Sequence, residues 1–208
     1  MAEARIGLLG GTFNPIHCGH LILAERARAQ FGLDRVLFIP NHVPPHRRIE
    51  PDEMATKEAR LIMCVLATLS NPAFHVSTIE LNREGASYTF DTVAALKKEI
   101  PSAGFHFICG ADALTRHDWH RFSELMGMLD GLLLATRQEG IGDARRKVEK
   151  EAPEHSGKIR NVQMPTIEIS ATEIRNRVRK GESIRYFVPE SVEEYIIRYG
   201  LYGGGADG

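Results

Sequence analysis

Ile6-Gly7-Leu8-Leu9-Gly10-Gly11-Thr12-Phe13-Asn14-Pro15-Ile16-His17-Cys18-Gly19-His20 is the stretch whose reading decides the fold. Its short apolar run, Ile6 to Leu9, reads as a buried strand that feeds a tight turn at Gly10-Gly11. Leu21, Ala24, Ala27 and Phe31 then recur at helical spacing, and Gly32 follows as a C-cap. Val36-Leu37-Phe38-Ile39 is the next apolar run, closed by Pro40. Strand, helix and strand in this order predict a βαβ unit with a parallel pair.

The alternation continues outward. Ile62, Val65, Leu66 and Leu69 mark a second helix, Phe74 to Ile79 a third strand, and Thr89 to Ile100 a third helix. Phe105 to Cys109 and Leu132 to Ala135 read as the fourth and fifth strands. The charged region from Ile141 to Gly157 reads as helical and then irregular, and Val192, Tyr195, Ile196 and Tyr199 mark a last amphipathic helix. The expected fold is α/β. It is a Rossmann-like doubly wound parallel sheet of about five strands, helices on both faces, with a small helical C-terminal extension. One domain over 1–202 is expected, its helical C-terminal part from 165, and the glycine-rich 203–208 is expected to be disordered.

The chain has 208 residues, enough to bury a full core without staples. Lys plus Arg (26) nearly balance Asp plus Glu (27), so no charge excess points to nucleic acid or to an anionic membrane. Cys18, Cys64 and Cys109 are sparse and far apart, which fits a reducing compartment better than a disulfide framework. No secretory signal or bilayer-length apolar run is visible, and a cytoplasmic protein is expected. A homo-oligomer is compatible with the sequence.

In such sheets ligands bind at the carboxyl ends of strands where the strand order reverses, and the unusual residues fall in those loops. The glycines after the first strand let backbone N–H groups approach a ligand, and the next helix points its positive end at the same place. His17 and His20, three apart at a helix start, can face one phosphate together, with Gly19 keeping the approach clear. A zinc half-site is the other use of such a pair, and no local third ligand has the usual spacing. Thr89 lies where a helix begins, so unpaired N–H groups there can serve a cap, an anion such as a carboxylate, or both. Trp119 is the only tryptophan, and its face can stack on a flat ring or simply fill a core. Ser170 with Glu173 three residues on reads as a capping box.

The string from Gly10 to His20 resembles the nucleotidyltransferase superfamily marked by His-x-Gly-His, and its Gly-Gly-Thr-Phe-Asn-Pro-Ile-His form is similar to nicotinate mononucleotide adenylyltransferases. Further segments agree in order. Pro45-His46-Arg47 resembles that family's Pro-His-Lys/Arg element, and Gly85-Ala86-Ser87-Tyr88-Thr89-Phe90-Asp91-Thr92 its Gly-Pro-Ser-Tyr-Thr-x-Asp-Thr, with Ala86 for proline. Gly110-Ala111-Asp112 with Trp119 resembles its Gly-x-Asp and downstream tryptophan, and Ile169-Ser170-Ala171-Thr172-Glu173-Ile174-Arg175 its Ile-Ser-x-Thr-x-Ile-Arg. Ser183-Ile184-Arg185-Tyr186-Phe187-Val188-Pro189 follows, with Phe187 for leucine.

The resemblance implies adenylyl transfer from ATP to nicotinate mononucleotide, with Mg²⁺ carried by the substrate phosphates and no protein ligand assigned to it. It implies His17, His20 and Arg175 as catalytic residues. Gly10, Gly11, Thr12, Phe13, Gly19, Ser170 and Thr172 join them around ATP. Asn14, Arg47, Ser87, Tyr88, Thr89, Asp112 and Trp119 are implied for the mononucleotide. Asp112 suits a ribose hydroxyl or a metal ion, and Arg47 the triphosphate or the incoming phosphate. Nicotinamide mononucleotide and phosphopantetheine are the alternative acceptors, and a non-catalytic nucleotide-binding module is the alternative of another class.

Overall fold

A computed structural model of the chain describes residues 3–42, 54–116, 118–135, 140–165 and 167–203. The first βαβ unit is β1 (Arg5–Gly11), α1 (Cys18–Phe31) and β2 (Arg35–Pro40). Next come α2 (Lys57–Thr68), β3 (Phe74–Val76), α3 (Thr89–Glu99) and β4 (Gly104–Gly110). Then follow α4 (Ala111–Arg116), α5 (Phe122–Met128), β5 (Gly131–Ala135), α6 (Gly140–Glu151) and β6 (Ile159–Val162), and the chain ends on α7 (Ala171–Arg179) and α8 (Glu190–Arg198).

Among the described residues the strands form one six-stranded sheet in the order β3-β2-β1-β4-β5-β6, and every pairing is parallel. The chain winds outward from β1 to β3, returns to the centre at β4, and winds outward again. The order therefore reverses between β1 and β4, which places the ligand crevice over their carboxyl ends. One core packs α1, α2, α7 and α8 on one face through Leu23, Ala27, Met63, Ile174 and Ile196. The other packs α3 to α6 through Leu96, Leu114, Leu125 and Val148. No described helix is long and apolar enough to cross a membrane.

The structure departs from the sequence reading in several places, and β3 stops at Val76, short of the expected Ile79. Strand β1 runs through Gly10 and Gly11, so the turn comes later, at Asn14-Pro15, whose peptide bond is cis. The sixth strand, β6, was not anticipated, because exposed Arg160 and Asn161 interrupt its apolar ends. α4 and α5 are short helices that carry no long periodic pattern. α2 buries the face opposite to the one its large apolar residues suggest. Ala59, Arg60, Met63, Cys64 and Ala67 turn inward, while Ile62, Val65 and Leu69 are exposed. Small side chains let a helix approach its neighbours closely, and proximity is what decided which face packs. Residues 204–208 of the expected tail lie outside the described residues, while Gly203 closes a short 3₁₀ turn with Leu201 and Tyr202.

Candidate active site

The centre of the site is the start of α1. His17 is its N-cap, and His20 stands at the third helical position. Their imidazole rings lie 3.7 Å apart between centroids and are tilted by 32°. The His17 backbone N–H donates to His20 Nδ1 at 3.2 Å. A neutral His20 must therefore carry its proton on Nε2, and Nε2–H is the donor it can offer. His17 is 7% exposed, and its Nδ1 is buried with no hydrogen-bond partner. Burial lowers the pKa of His17 to about 4, and burial followed by the nearby His17 lowers that of His20 well below the usual value. Both rings are thus neutral donors at pH 7 until an anion arrives to raise their basicity.

Gly19 has a different use from the one expected. A Cβ there would stand 3.1 Å from Cε1 and Nδ1 of His17, so its hydrogen makes room for the imidazole. Gly11 is similar, since a Cβ would come 3.1 Å from the Phe13 ring. Phe13, expected near ATP, has its side chain in the core (2% exposed) and presents an edge to His20 at 5.0 Å. The first-turn N–H of Cys18 donates to the Phe187 carbonyl at 2.9 Å, which ties the C-terminal segment to the head of α1.

Asn14 is held by bonds to distant residues. Its Oδ1 accepts from the Ala55 N–H at 3.0 Å and from the Tyr202 hydroxyl at 2.9 Å, and its carbonyl accepts from Arg175 Nη1 at 2.9 Å. The side chain is 3% exposed and joins three segments of the chain. Arg175 is 6% exposed and also donates to Thr172 Oγ1 at 3.4 Å, so its guanidinium braces the Asn14 loop against α7. Ser170 caps α7 by accepting from the Glu173 N–H at 3.1 Å, and with Thr172 it remains exposed at that helix start.

On the other side of the crevice Ser87 is buried, and its Oγ accepts from the His42 N–H at 3.2 Å. That hydroxyl ties the Ser87 loop to the segment after β2. Tyr88 is the N-cap of α3, with Thr89 as its first residue, so the N–H groups of that first turn have no acceptor within the helix. The Tyr88 ring lies 4.8 Å from His120. Glu80, buried beneath, accepts from Thr92 Oγ1 at 2.7 Å, and burial raises its pKa. Trp119 is half-buried. Its Nε1–H donates to the Leu114 carbonyl at 3.2 Å and its edge meets Phe107 at 5.5 Å. Asp112 is exposed and pairs with Arg116 at 3.0 Å. Arg47 lies outside the described residues.

Sequence reasoning missed Arg60, Asn41 and His42. Arg60 donates to the Thr12 carbonyl at 2.8 Å, and Asn41 Nδ2 donates to Thr12 Oγ1 at 3.3 Å. Asn41 and His42 follow the carboxyl end of β2, so their position was a readable signal. A lone arginine on the small-residue face of α2 was the signal for Arg60. Among the described residues no three of His, Cys, Asp and Glu come together as a metal-holding group.

Residues 8–177 match the model of the cytidylyltransferase-like family. The chain is 44% identical, over 95% of its length and 99% of the relative's, to a protein of Dictyoglomus thermophilum named probable nicotinate-nucleotide adenylyltransferase. It is 42% identical, over 96% of its length and 95% of the relative's, to one so named from Thermoanaerobacter sp.. Among solved structures it resembles a Plasmodium falciparum nicotinic acid mononucleotide adenylyltransferase complexed with NaAD. The TM-score is 0.76 at 18% identity, over 98% of this chain and 100% of that one. At that identity the likeness speaks for the fold.

Proposed function

Because the chain belongs to the nicotinate-nucleotide adenylyltransferase family, within the cytidylyltransferase-like group, we propose that it transfers the adenylyl group of ATP to nicotinate mononucleotide. The products are nicotinate adenine dinucleotide and pyrophosphate, a step of NAD biosynthesis carried out in the cytoplasm. The observation that carries this reading is the neutral His17–His20 pair on the first turn of α1, at the point where the sheet reverses its order.

A phosphate oxygen of the mononucleotide attacks the α-phosphorus of ATP. The new P–O bond forms as the bond from that phosphorus to the bridging oxygen breaks, and pyrophosphate leaves opposite the attacker. The attacking phosphate has a second pKa of about 6, so it is mostly ionised at neutral pH and needs no general base. Catalysis rests on holding two anions in line and stabilising charge at the α-phosphate. His20 Nε2–H and the His17 ring supply donors there. ATP would enter as its magnesium complex, in which the ion would offset the charge of the phosphates and the leaving pyrophosphate. The α7 start, with Ser170 and Thr172, takes triphosphate oxygens, while Arg175 acts through the loop it braces. Arg47 supports the phosphates of either substrate. The α3 start and Trp119 receive the pyridine carboxylate and ring, and Asp112 is close enough in the chain to serve a ribose hydroxyl.

The test is pyrophosphate release from ATP and Mg²⁺ with nicotinate mononucleotide, nicotinamide mononucleotide or phosphopantetheine. Release with the acid form alone is expected. Preference for the amide would keep the chemistry and overturn the acceptor, and release with none would overturn the reading.

A further inference from the structure

Arg60 heads the largest side chains that the fold buries completely, at 1% exposure. It rises from the first turn of α2 on the face that carries Ala59, Met63 and Cys64 into the core. Among the described residues no carboxylate pairs with its guanidinium, and Nε is buried without a hydrogen-bond partner. Burial pulls its pKa below the usual arginine value. A buried, unpaired cation is costly, and an apolar side chain of similar volume would pack at least as well. What holds an arginine here is therefore to be sought in the acceptors it reaches.

The acceptors it does reach belong to two different loops. Nη1 donates to the Thr12 carbonyl at 2.8 Å and to Asn41 Oδ1 at 3.4 Å, and Nη2 donates to the His42 carbonyl at 3.3 Å. Thr12 follows β1, where ATP is expected. Asn41 and His42 follow β2, and the tie continues from them towards the mononucleotide side. The His42 N–H donates to Ser87 Oγ at 3.2 Å, and His42 Nδ1–H donates to the Arg83 carbonyl at 2.8 Å. Asn41 adds a direct tie, its N–H donating to the Gly11 carbonyl at 3.0 Å. One rigid fork thus spans the loop expected to hold one nucleotide and the loop that anchors the recognition segment for the other.

We propose that Arg60 is a positioning residue for adenylyl transfer, fixing from beneath the site the spacing between the Thr12 loop and the His42–Ser87 loop, and with it the distance at which the two phosphates meet. The proposal rests on the functional reading above. Arg60 touches neither nucleotide. Its planar fork sets two carbonyl oxygens at one separation, which the single point charge of a lysine cannot do. Its charge, paired with no carboxylate among the described residues, also lies under the place where two anions must be brought together.

The experiment compares the unmutated enzyme with Arg60→Lys, Arg60→Met and Arg60→Ala. It reads kcat and both KM values by pyrophosphate release, the Kd of each nucleotide alone by calorimetry, and the melting temperature. A misplacement of about 1 Å remote from the chemistry costs roughly 10²-fold, so kcat should fall by about that factor in the Lys and Met variants. Each separate Kd should move by less than roughly fivefold, since the loops keep their own contacts and lose only their spacing. Ethylguanidinium, the fragment that Arg60→Ala removes, should restore kcat in that variant by at least about tenfold. A folded Lys or Met variant with unmutated kcat would overturn the proposal, and so would a Lys variant whose full activity shows that charge alone suffices. Losses confined to melting temperature would also overturn it. Where the Met variant fails to fold, the Lys variant and the ethylguanidinium rescue decide. If the unmutated protein turns over no mononucleotide, the functional reading fails and takes this proposal with it.

Discussion

Gly19→Ala adds one methyl group at the second helical position of α1. That Cβ would lie 3.1 Å from Nδ1 and Cε1 of His17 and 3.9 Å from Ile167 Cγ2. The Ile167 contact is ordinary, but the His17 contact is tight enough that the ring must retreat by a few tenths of an ångström. It has little room, because it is 7% exposed and stacked at 3.7 Å on His20, which itself meets the Phe13 ring at 5.0 Å. The displacement is therefore passed through both imidazoles. Taking about 10²-fold for a 1 Å misplacement, a shift of a third to a half of that should cost roughly tenfold in kcat/KM. Folding should not suffer, since alanine is favoured over glycine in a helix by up to about 1 kcal/mol. Pyrophosphate release and thermal melting, measured on the same preparation, separate the two effects. A variant with unchanged kcat/KM would refute the view that the missing side chain at Gly19 sets the position of His17. A large fall in melting temperature would mean that the fold, not the histidine, absorbs the strain.

His20→Ala should lower kcat by about 10²–10³, the scale of removing one preorganised donor, and a folded variant with near-full activity would overturn its role. His17 binds its proton near pH 4 when folded and near 6.5 when unfolded, so the unfolded state holds more protons between those values. Its contribution to stability is complete above pH 6.5 and declines as pH falls towards 4, by roughly 3 kcal/mol in all. Urea unfolding at pH 7 and pH 4.5 should show a smaller difference for His17→Gln than for the unmutated chain, and an equal difference would contradict the burial of that ring. Tyr202→Phe should cost about 1 kcal/mol while changing kcat little, because it removes a buried bond to Asn14. A tenfold rise in the mononucleotide KM of that variant would return Asn14 to the binding surface. Nicotinate mononucleotide should quench the fluorescence of Trp119, the sole tryptophan, and titration with no change would remove it from the acceptor site.

The fold was legible where periodicity and glycine punctuation coincide, as in β1, α1 and β2. It was least legible where short-range pattern and long-range packing disagree. β6 pairs with β5 although Arg160 and Asn161 sit between its buried ends. Nothing in Ile62, Val65 and Leu69 says that alanines will win the sheet-facing side of α2. The site was legible as a set of loops and less so residue by residue. His17 and His20 meet as their spacing suggested. Asn14, Ser87 and the Phe13 ring lie inward because each satisfies partners far away in sequence, which no local motif reveals. Arg60 escaped notice because a buried cation on an apolar helix face contradicts the pattern that locates cores.

Three links join the head of the chain to its last segments. The Tyr202 hydroxyl reaches Asn14 across 188 positions, Arg175 reaches the same residue across 161, and the Cys18 N–H meets the Phe187 carbonyl. The ribosome therefore delivers the histidine loop well before its fasteners. The N-terminal βαβ unit can begin to form as it emerges, since domains fold from that end during synthesis. Asn14 meets its hydroxyl partner only after Tyr202 has been made. A nascent chain that has not yet reached Tyr202 would carry both histidines with their loop still lacking this bond.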